Sequence, residues 1–178
     1  MTGKRKILAI SGSTRQRSAN LDLIHIIGRL FSNVLDVQYF NGLEALPHFN
    51  PDLDTDSPPQ PVMDFRRRLK AVEGILICTP EYAMVVPGTL KNVIDWTVSS
   101  CEFSNKPVAL ITASSSGQKG HAALMETLKV IEAAIPEDSQ LIIPFVKTKI
   151  QGERITDTYT LEQVKRVINS LILIIGRR

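Results

Sequence analysis

The chain is poor in cysteine: 178 residues contain two, Cys78 and Cys101, which make no disulfide framework. Cys78 lies inside an apolar run and is expected to be a small buried hydrophobe. Long apolar runs are missing as well. The longest near the end, Leu171 to Ile175, is far too short to cross a bilayer, so no membrane partner is expected. Aromatic residues make up 6% and the net charge is only +3. No aromatics interleave with basic residues, so no nucleic acid is expected as a partner. The clusters Lys4-Arg5-Lys6, Arg66-Arg67-Arg68 and Arg177-Arg178 are expected to be solvated faces or tails. The N-terminus is charged and runs directly into a strand, without a signal-peptide pattern. The expected setting is reduced and cytoplasmic.

Several site chemistries are also missing. There is no Gly, four residues, Gly-Lys-Ser/Thr phosphate loop. No Gly-x-Gly-x-x-Gly follows the first strand, and no Gly-x-Ser-x-Gly elbow occurs. A receiver domain would need clustered acids after strand 1, where this chain has Ser and Arg. His25, His48 and His121 do not form a metal set by spacing, so no metal is expected. His121 could reach a ligand phosphate at a helix start, but a solvated helix end is the preferred reading.

What is present is regular alternation. Lys6 to Ser11, Val34 to Phe40, Gly74 to Thr79, Pro107 to Thr112 and Leu141 to Val146 predict five strands. Between them lie helical patterns. One starts at Leu21, with Leu23, Ile24, Ile27, Leu30 and Phe31 on one face. Others cover Val62 to Val72, the stretch after Pro87-Gly88, His121 to Ala134, and Leu161 to Ile175. Asn41 to Pro61 is rich in Pro, Asp and Asn and predicts a loop. The length fits one domain, residues 1–178. The pattern predicts an α/β, three-layer, doubly wound parallel five-stranded sheet in the flavodoxin-like order 2-1-3-4-5, with its ligand at the switch between strands 1 and 3.

The loops after strands 1, 3 and 4 are compositionally unusual, and this topology opens them on one end of the sheet. The first, Ser11 to Asn20, sets backbone N–H groups, hydroxyls and a guanidinium before a helix N-terminus. That suits a phosphate, with Ser13, Arg15, Ser18 and Asn20 as side-chain donors. Asn20 also fits a helix N-cap, and an ordinary capped turn is the plainer alternative. The second, Thr79 to Gly88, is stiffened by Pro80 and Pro87 and could hold backbone N–H groups against a flat ring. Glu81 is either a ligand contact or half of a surface ion pair. Tyr82 and Met84 either touch a ligand or simply pack. The third, Ser114 to Gly120, has small residues that let a ligand approach the backbone, or that make a flexible connection.

Gly12-Ser13-x-Arg15-x-x-Ser18-x-Asn20 resembles the phosphate loop of the NAD(P)H-dependent FMN reductases, a group that includes chromate, quinone and azo-dye reductases. Thr79-Pro80-Glu81-Tyr82 and Pro87-Gly88-x-Leu90-Lys91-Asn92-x-Ile94-Asp95-Trp96 resemble that family's second signature. The resemblance runs from Lys6 to about Ile135. It implies FMN, with the phosphate held by Ser13, Arg15, Ser18, Ala19 and Asn20. It implies an isoalloxazine on Pro80, Glu81, Tyr82 and Ala83, with Ser114, Ser115, Gly117 and Gly120 at the other edge. Hydride would pass from NADPH or NADH through FMN to a small-molecule acceptor: a quinone, free flavin, azo compound or metal oxyanion. No catalytic side chain is implied, because the flavin does the redox work. A homodimer or homotetramer is implied. The chain departs from the family at Ala83, where Asn is usual, at Met84-Val85-Val86, where a hydroxyl residue usually precedes Val-Pro-Gly, and at Gly120-His121-Ala122. The alternative from another class is a non-enzymatic flavin-binding redox sensor or electron carrier. The basic charge balance argues against the carrier, since electron-carrier flavodoxins are typically acidic. A relative that has lost its flavin is a third reading, motivated by Ala83 and the altered third loop.

Overall fold

The structure is a computed structural model that describes residues 3–177. Five strands form one sheet: β1 (Arg5–Ser11), β2 (Leu35–Phe40), β3 (Gly74–Thr79), β4 (Val108–Ala113) and β5 (Gln140–Ile143). They pair in the order β2-β1-β3-β4-β5, and each pair is parallel. β3 and β4 are buried along their whole length, which is why their sequences are continuous apolar runs rather than alternating ones.

Side chains of a strand point alternately to opposite faces, and two cores result. Ile7 and Ala9 join the core beneath α1 (Ala19–Leu30) and α6 (Thr158–Gly176). Leu8 and Ile10 join the core beneath α2 (Gln60–Lys70), α3 (Gly88–Asp95) and α4 (Gln118–Val130). The parallel sheet is therefore covered on both sides, as parallel sheets require.

The boundaries differ from expectation where cap chemistry intervenes. α1 begins at Ala19 rather than Leu21, and its cap is Ser18, whose Oγ accepts the Asn20 N–H at 3.3 Å. Asn20 sits inside the helix instead. α4 begins at Gln118, so the third loop ends at Gly117, whose φ of 97° suits glycine. β5 stops at Ile143. Pro144 follows, and Phe145, at φ 53°, turns the chain into the short helical turn α5 (Val146–Lys149). A small hairpin, β6 (Ile150–Gln151) and β7 (Arg154–Ile155), comes next and lacks any sequence signal noted above.

The Arg66-Arg67-Arg68 cluster is not simply a solvated face. Arg66 is buried, and its guanidinium donates to the Trp96 carbonyl and, at 2.7 Å, to Asp54. Burial pushes the Asp54 carboxyl up, but the Ser99 hydroxyl and Arg66 outweigh it and hold the carboxyl below its ordinary range. Asn92 and Trp96 of the second signature also face this region. Asn92 Oδ1 accepts the Phe49 N–H at 2.7 Å. Asn92 Nδ2 and Trp96 Nε1 both donate to the Pro47 carbonyl, at 3.0 and 2.8 Å. These residues pin the long 41–59 connection to α3.

Asn92→Ala removes two of those bonds and leaves the Phe49 N–H unpaired. It should lower stability by about 1–3 kcal/mol, read as a fall in the urea midpoint, with faster protease cleavage between residues 41 and 59.

Candidate functional site

The loops after β1, β3 and β4 meet at the carboxyl end of the sheet. Gly12 lets the first two touch: a Cβ there would lie 2.2 Å from Thr79 Oγ1. Its N–H donates to the Cys78 carbonyl at 2.8 Å. The first loop folds on its own hydroxyls. Ser11 Oγ accepts the Ser13 N–H at 3.3 Å, and Ser13 Oγ accepts the Arg15 N–H at 3.4 Å. The loop's side chains Arg15 and Arg17 are exposed.

Asn20 bridges the first loop to β4. Its Nδ2 donates to the Ala113 carbonyl at 3.0 Å. The residue is 4% exposed, and its Oδ1 is buried without a hydrogen-bond partner. An orphaned buried acceptor is costly and calls for a donor from a ligand.

Glu81 ties the second loop to the third. Its carboxylate accepts the Gly120 N–H at 2.6 Å and the Gly117 N–H at 3.3 Å. These are unsatisfied donors at the start of α4, where the helix dipole also favours an anion. Among the described residues the side chain is thus tied to backbone N–H groups rather than held in a surface ion pair. Gly120 is packed against this contact: a Cβ would lie 3.0 Å from Glu81 Cγ and 3.1 Å from the Val85 carbonyl oxygen.

Beyond Glu81 the second loop reverses in two residues. Tyr82 and Val85 exchange both backbone hydrogen bonds, at 2.9 and 3.0 Å. The residues between them, Ala83 (φ 48°) and Met84 (φ 66°), are both left-handed. That is a type I′ turn, which favours Asn-Gly. A residue with a Cβ costs about 1–2 kcal/mol in this conformation. Asn, which tolerates this conformation, would relieve local backbone strain at position 83.

A cleft of about 670 Å³ opens between these loops, within the usual range for small-molecule sites. Ser13, Arg15, Ser18, Ala19 and Asn20 of the first loop line it, with Pro80, Glu81 and Tyr82 of the second and Ser114 and Ser115 of the third. Ala83, Gly117 and Gly120 do not line it. Ala83 is on the exposed turn, and the two glycines face Glu81. Met84 also points elsewhere, its Sδ 3.4 Å from Lys119 Nζ. Arg17, Ala113 and the stretch Phe145 to Thr148, the last from beyond β5, also line the cleft and lie outside the residues expected from sequence. The signal was available in the topology, since every strand of a parallel sheet ends on the same side.

His121 is buried, neither a solvated helix end nor a ligand contact. Its Nε2 lies 2.9 Å from Gln140 Oε1 and its Nδ1 2.8 Å from Thr112 Oγ1. Gln140 Oε1 only accepts, so Nε2 carries the proton and Nδ1 accepts from the Thr112 hydroxyl. Burial lowers the pKa of His121, and the bond to Gln140 offsets part of that. Burial also pushes the Cys78 thiol pKa far up. Among the described residues no group of three or more His, Cys, Asp or Glu is placed to hold a metal ion, and no helix is long and apolar enough to cross a membrane.

The sheet order and a cleft over the carboxyl ends of β1, β3 and β4 define a flavodoxin-like protein, the class whose ligand sits at this switch point. Residues 5–148 match the family described as NADPH-dependent FMN reductase, and the chain belongs to that family. It is 28% identical to the NAD(P)H-dependent FMN reductase PA1204 of Pseudomonas aeruginosa, over 99% of this chain and 98% of that protein. It is 26% identical to a quinone reductase of Escherichia coli, over 92% of each chain. Its fold matches that of FerB, a flavoenzyme NAD(P)H:(acceptor) oxidoreductase from Paracoccus denitrificans, with a TM-score of 0.85 at 24% identity, covering 97% of this chain and 98% of that one.

The double substitution Ala83→Asn with Met84→Gly should stabilise the protein by about 1–2 kcal/mol by relieving the left-handed turn, measured as a rise in the urea midpoint. His121 generates a second expectation. Its folded pKa is below the unfolded value of about 6.5, so its contribution to stability is complete above that value and is lost as pH falls toward the folded pKa. The stability difference between the parent and His121→Gln should therefore shrink as unfolding is measured from pH 7.5 down to pH 5.

Proposed function

We propose that the chain works as an FMN-dependent NAD(P)H oxidoreductase, taking electrons from NADH or NADPH and delivering them to a small-molecule acceptor of the quinone, free-flavin, azo or metal-oxyanion class. The unpaired Asn20 Oδ1, set in one cleft with the α1 N-terminus and the side chains of Arg15 and Arg17, carries this assignment. FMN fits that set. A phosphate monoester carries about −1.5 to −2 charge near pH 7, which matches the guanidinium of Arg15 and the open N–H groups at the start of α1. The ribityl hydroxyls are donors of the kind Asn20 Oδ1 lacks.

Ser13, Arg15, Ser18, Ala19 and Asn20 are assigned to the phosphate and its sugar chain. Pro80, Glu81, Tyr82 and Ala83 are assigned to the ring, with Ser114, Ser115, Gly117 and Gly120 at its other edge. Within that set Glu81, Gly117 and Gly120 act by holding two loops together, and Ala83 acts through the turn it shapes. Pro80 is buried and rigid, so the backbone beside it offers a fixed surface to a flat ring. When bound, FMN supplies the hydride and electron transfer, and the protein supplies position and electrostatics. No side chain is assigned as an acid or base.

The chain is taken to act as one domain, because one sheet carries both cores. A homodimer or homotetramer is proposed, supported by the exposed apolar side chains of Tyr82, Met84 and Val85 beside the cleft. A cytoplasmic location is proposed, supported by two free cysteines.

The deciding experiment adds FMN to the purified protein and follows NADH and NADPH oxidation with a quinone at steady state. Sustained consumption is expected. Flavin binding without consumption would mean a sensor or carrier. Arg15→Ala should weaken FMN by about 1.5–3 kcal/mol, the size of a charge-assisted hydrogen bond, as read by calorimetric titration.

A further inference from the structure

We infer that the anion-binding end of this cleft is built from two separate elements, and that Lys147, delivered by the turn after β5, is a phosphate-binding residue alongside the loop before α1. The assignment rests on the FMN reading and adds a residue to it from outside the recognised motifs.

The position of Lys147 is fixed by how two segments are tied to the end of β4. Asn20 Nδ2 donates to the carbonyl of Ala113. The Val146 N–H donates to the carbonyl of the next residue, Ser114, at 3.1 Å, and the Phe145 N–H to that of Ser115 at 3.3 Å. Asn20 and Val146 are therefore each anchored where β4 ends, on the consecutive residues Ala113 and Ser114. Ala19 and Val146 also pack in the same apolar core. Lys147, the next residue, lines the same cleft as Ser18, Ala19 and Asn20 at the start of α1.

The turn that presents it is itself constrained. Phe145 is left-handed at φ 53°, and its carbonyl accepts both the Thr148 N–H at 2.9 Å and the Thr148 hydroxyl at 2.8 Å. A bulky residue in that conformation persists only when its surroundings hold it there.

The charges of the cleft wall are unbalanced. Arg15, Arg17 and Lys147 all line it and are exposed. Among the described residues none of the three makes an ion pair. The wall's one carboxylate, Glu81, is already committed to the Gly117 and Gly120 N–H groups. The buried Asn20 Oδ1, unpaired in the same cleft, independently marks it as a place for a ligand. Three unpaired cations and the open α1 N-terminus call for a group bearing about two negative charges, which a phosphate monoester provides. The ammonium of Lys147, on its flexible stem, would act as a point charge rather than a directional fork.

The test compares FMN with riboflavin, which lacks only the phosphate. Flavin-free protein is titrated with each by fluorescence quenching, for the parent, Lys147→Ala and Lys147→Arg. Lys147→Ala should weaken FMN about tenfold while leaving riboflavin unchanged, and Lys147→Arg should restore FMN. The slope of log affinity against log salt should also fall in Lys147→Ala. An unchanged FMN-to-riboflavin ratio, or an equal loss for both flavins, would overturn the assignment alone, because the parent still prefers FMN. A parent that binds neither flavin, or binds both equally, would overturn it together with the phosphate reading of the cleft.

Discussion

The Glu81 carboxylate, held between the N–H groups of Gly117 and Gly120, is the contact on which the geometry of the site depends. It makes the loops after β3 and β4 a single body. It also satisfies the start of α4 from within the protein. The start of α1 is capped differently, by the Ser18 hydroxyl at the Asn20 N–H, and it lines the cleft. Gly120 follows from the same contact, since a side chain there would push Glu81 and the Val85 backbone away.

The second signature divides its work between two surfaces. Pro80 to Tyr82 face the cleft, whereas Asn92 and Trp96 face away and secure the 41–59 connection. Phe49 packs edge-on against Trp96 with ring centres 5.0 Å apart. One contiguous stretch of sequence thus builds the site and fastens the connection behind it. A motif that looks like a ligand signature contains residues whose task is structural.

The sheet order was legible because continuous apolar runs alternated with helical periodicity, and β3 matched its expected bounds because Gly74 and Pro80 punctuate it. Ends set by cap chemistry were less legible. Ser18 and Asn20 are both good caps, and only the tertiary bond from Asn20 to Ala113 decides between them. Arg66 looked solvated because its neighbours Arg67 and Arg68 are, yet its partners Asp54 and the Trp96 carbonyl lie 12 and 30 residues away in sequence. The burial of His121 is hidden from the sequence for the same reason, since Gln140 and Thr112 are on two other elements. The residues after β5 escaped notice because nothing about Phe145 announces a left-handed backbone. Long-range pairing and local strain are what composition and periodicity do not carry.

Cys78 is the penultimate residue of β3, and it is wholly buried with its thiol pKa pushed up. The thiolate, not the thiol, is the nucleophile. A thiolate adds to electrophiles, whereas a protonated thiol sealed in the core does not. Protonated and shut in the core, this sulfur offers no nucleophile to whatever enters the space above the strand ends.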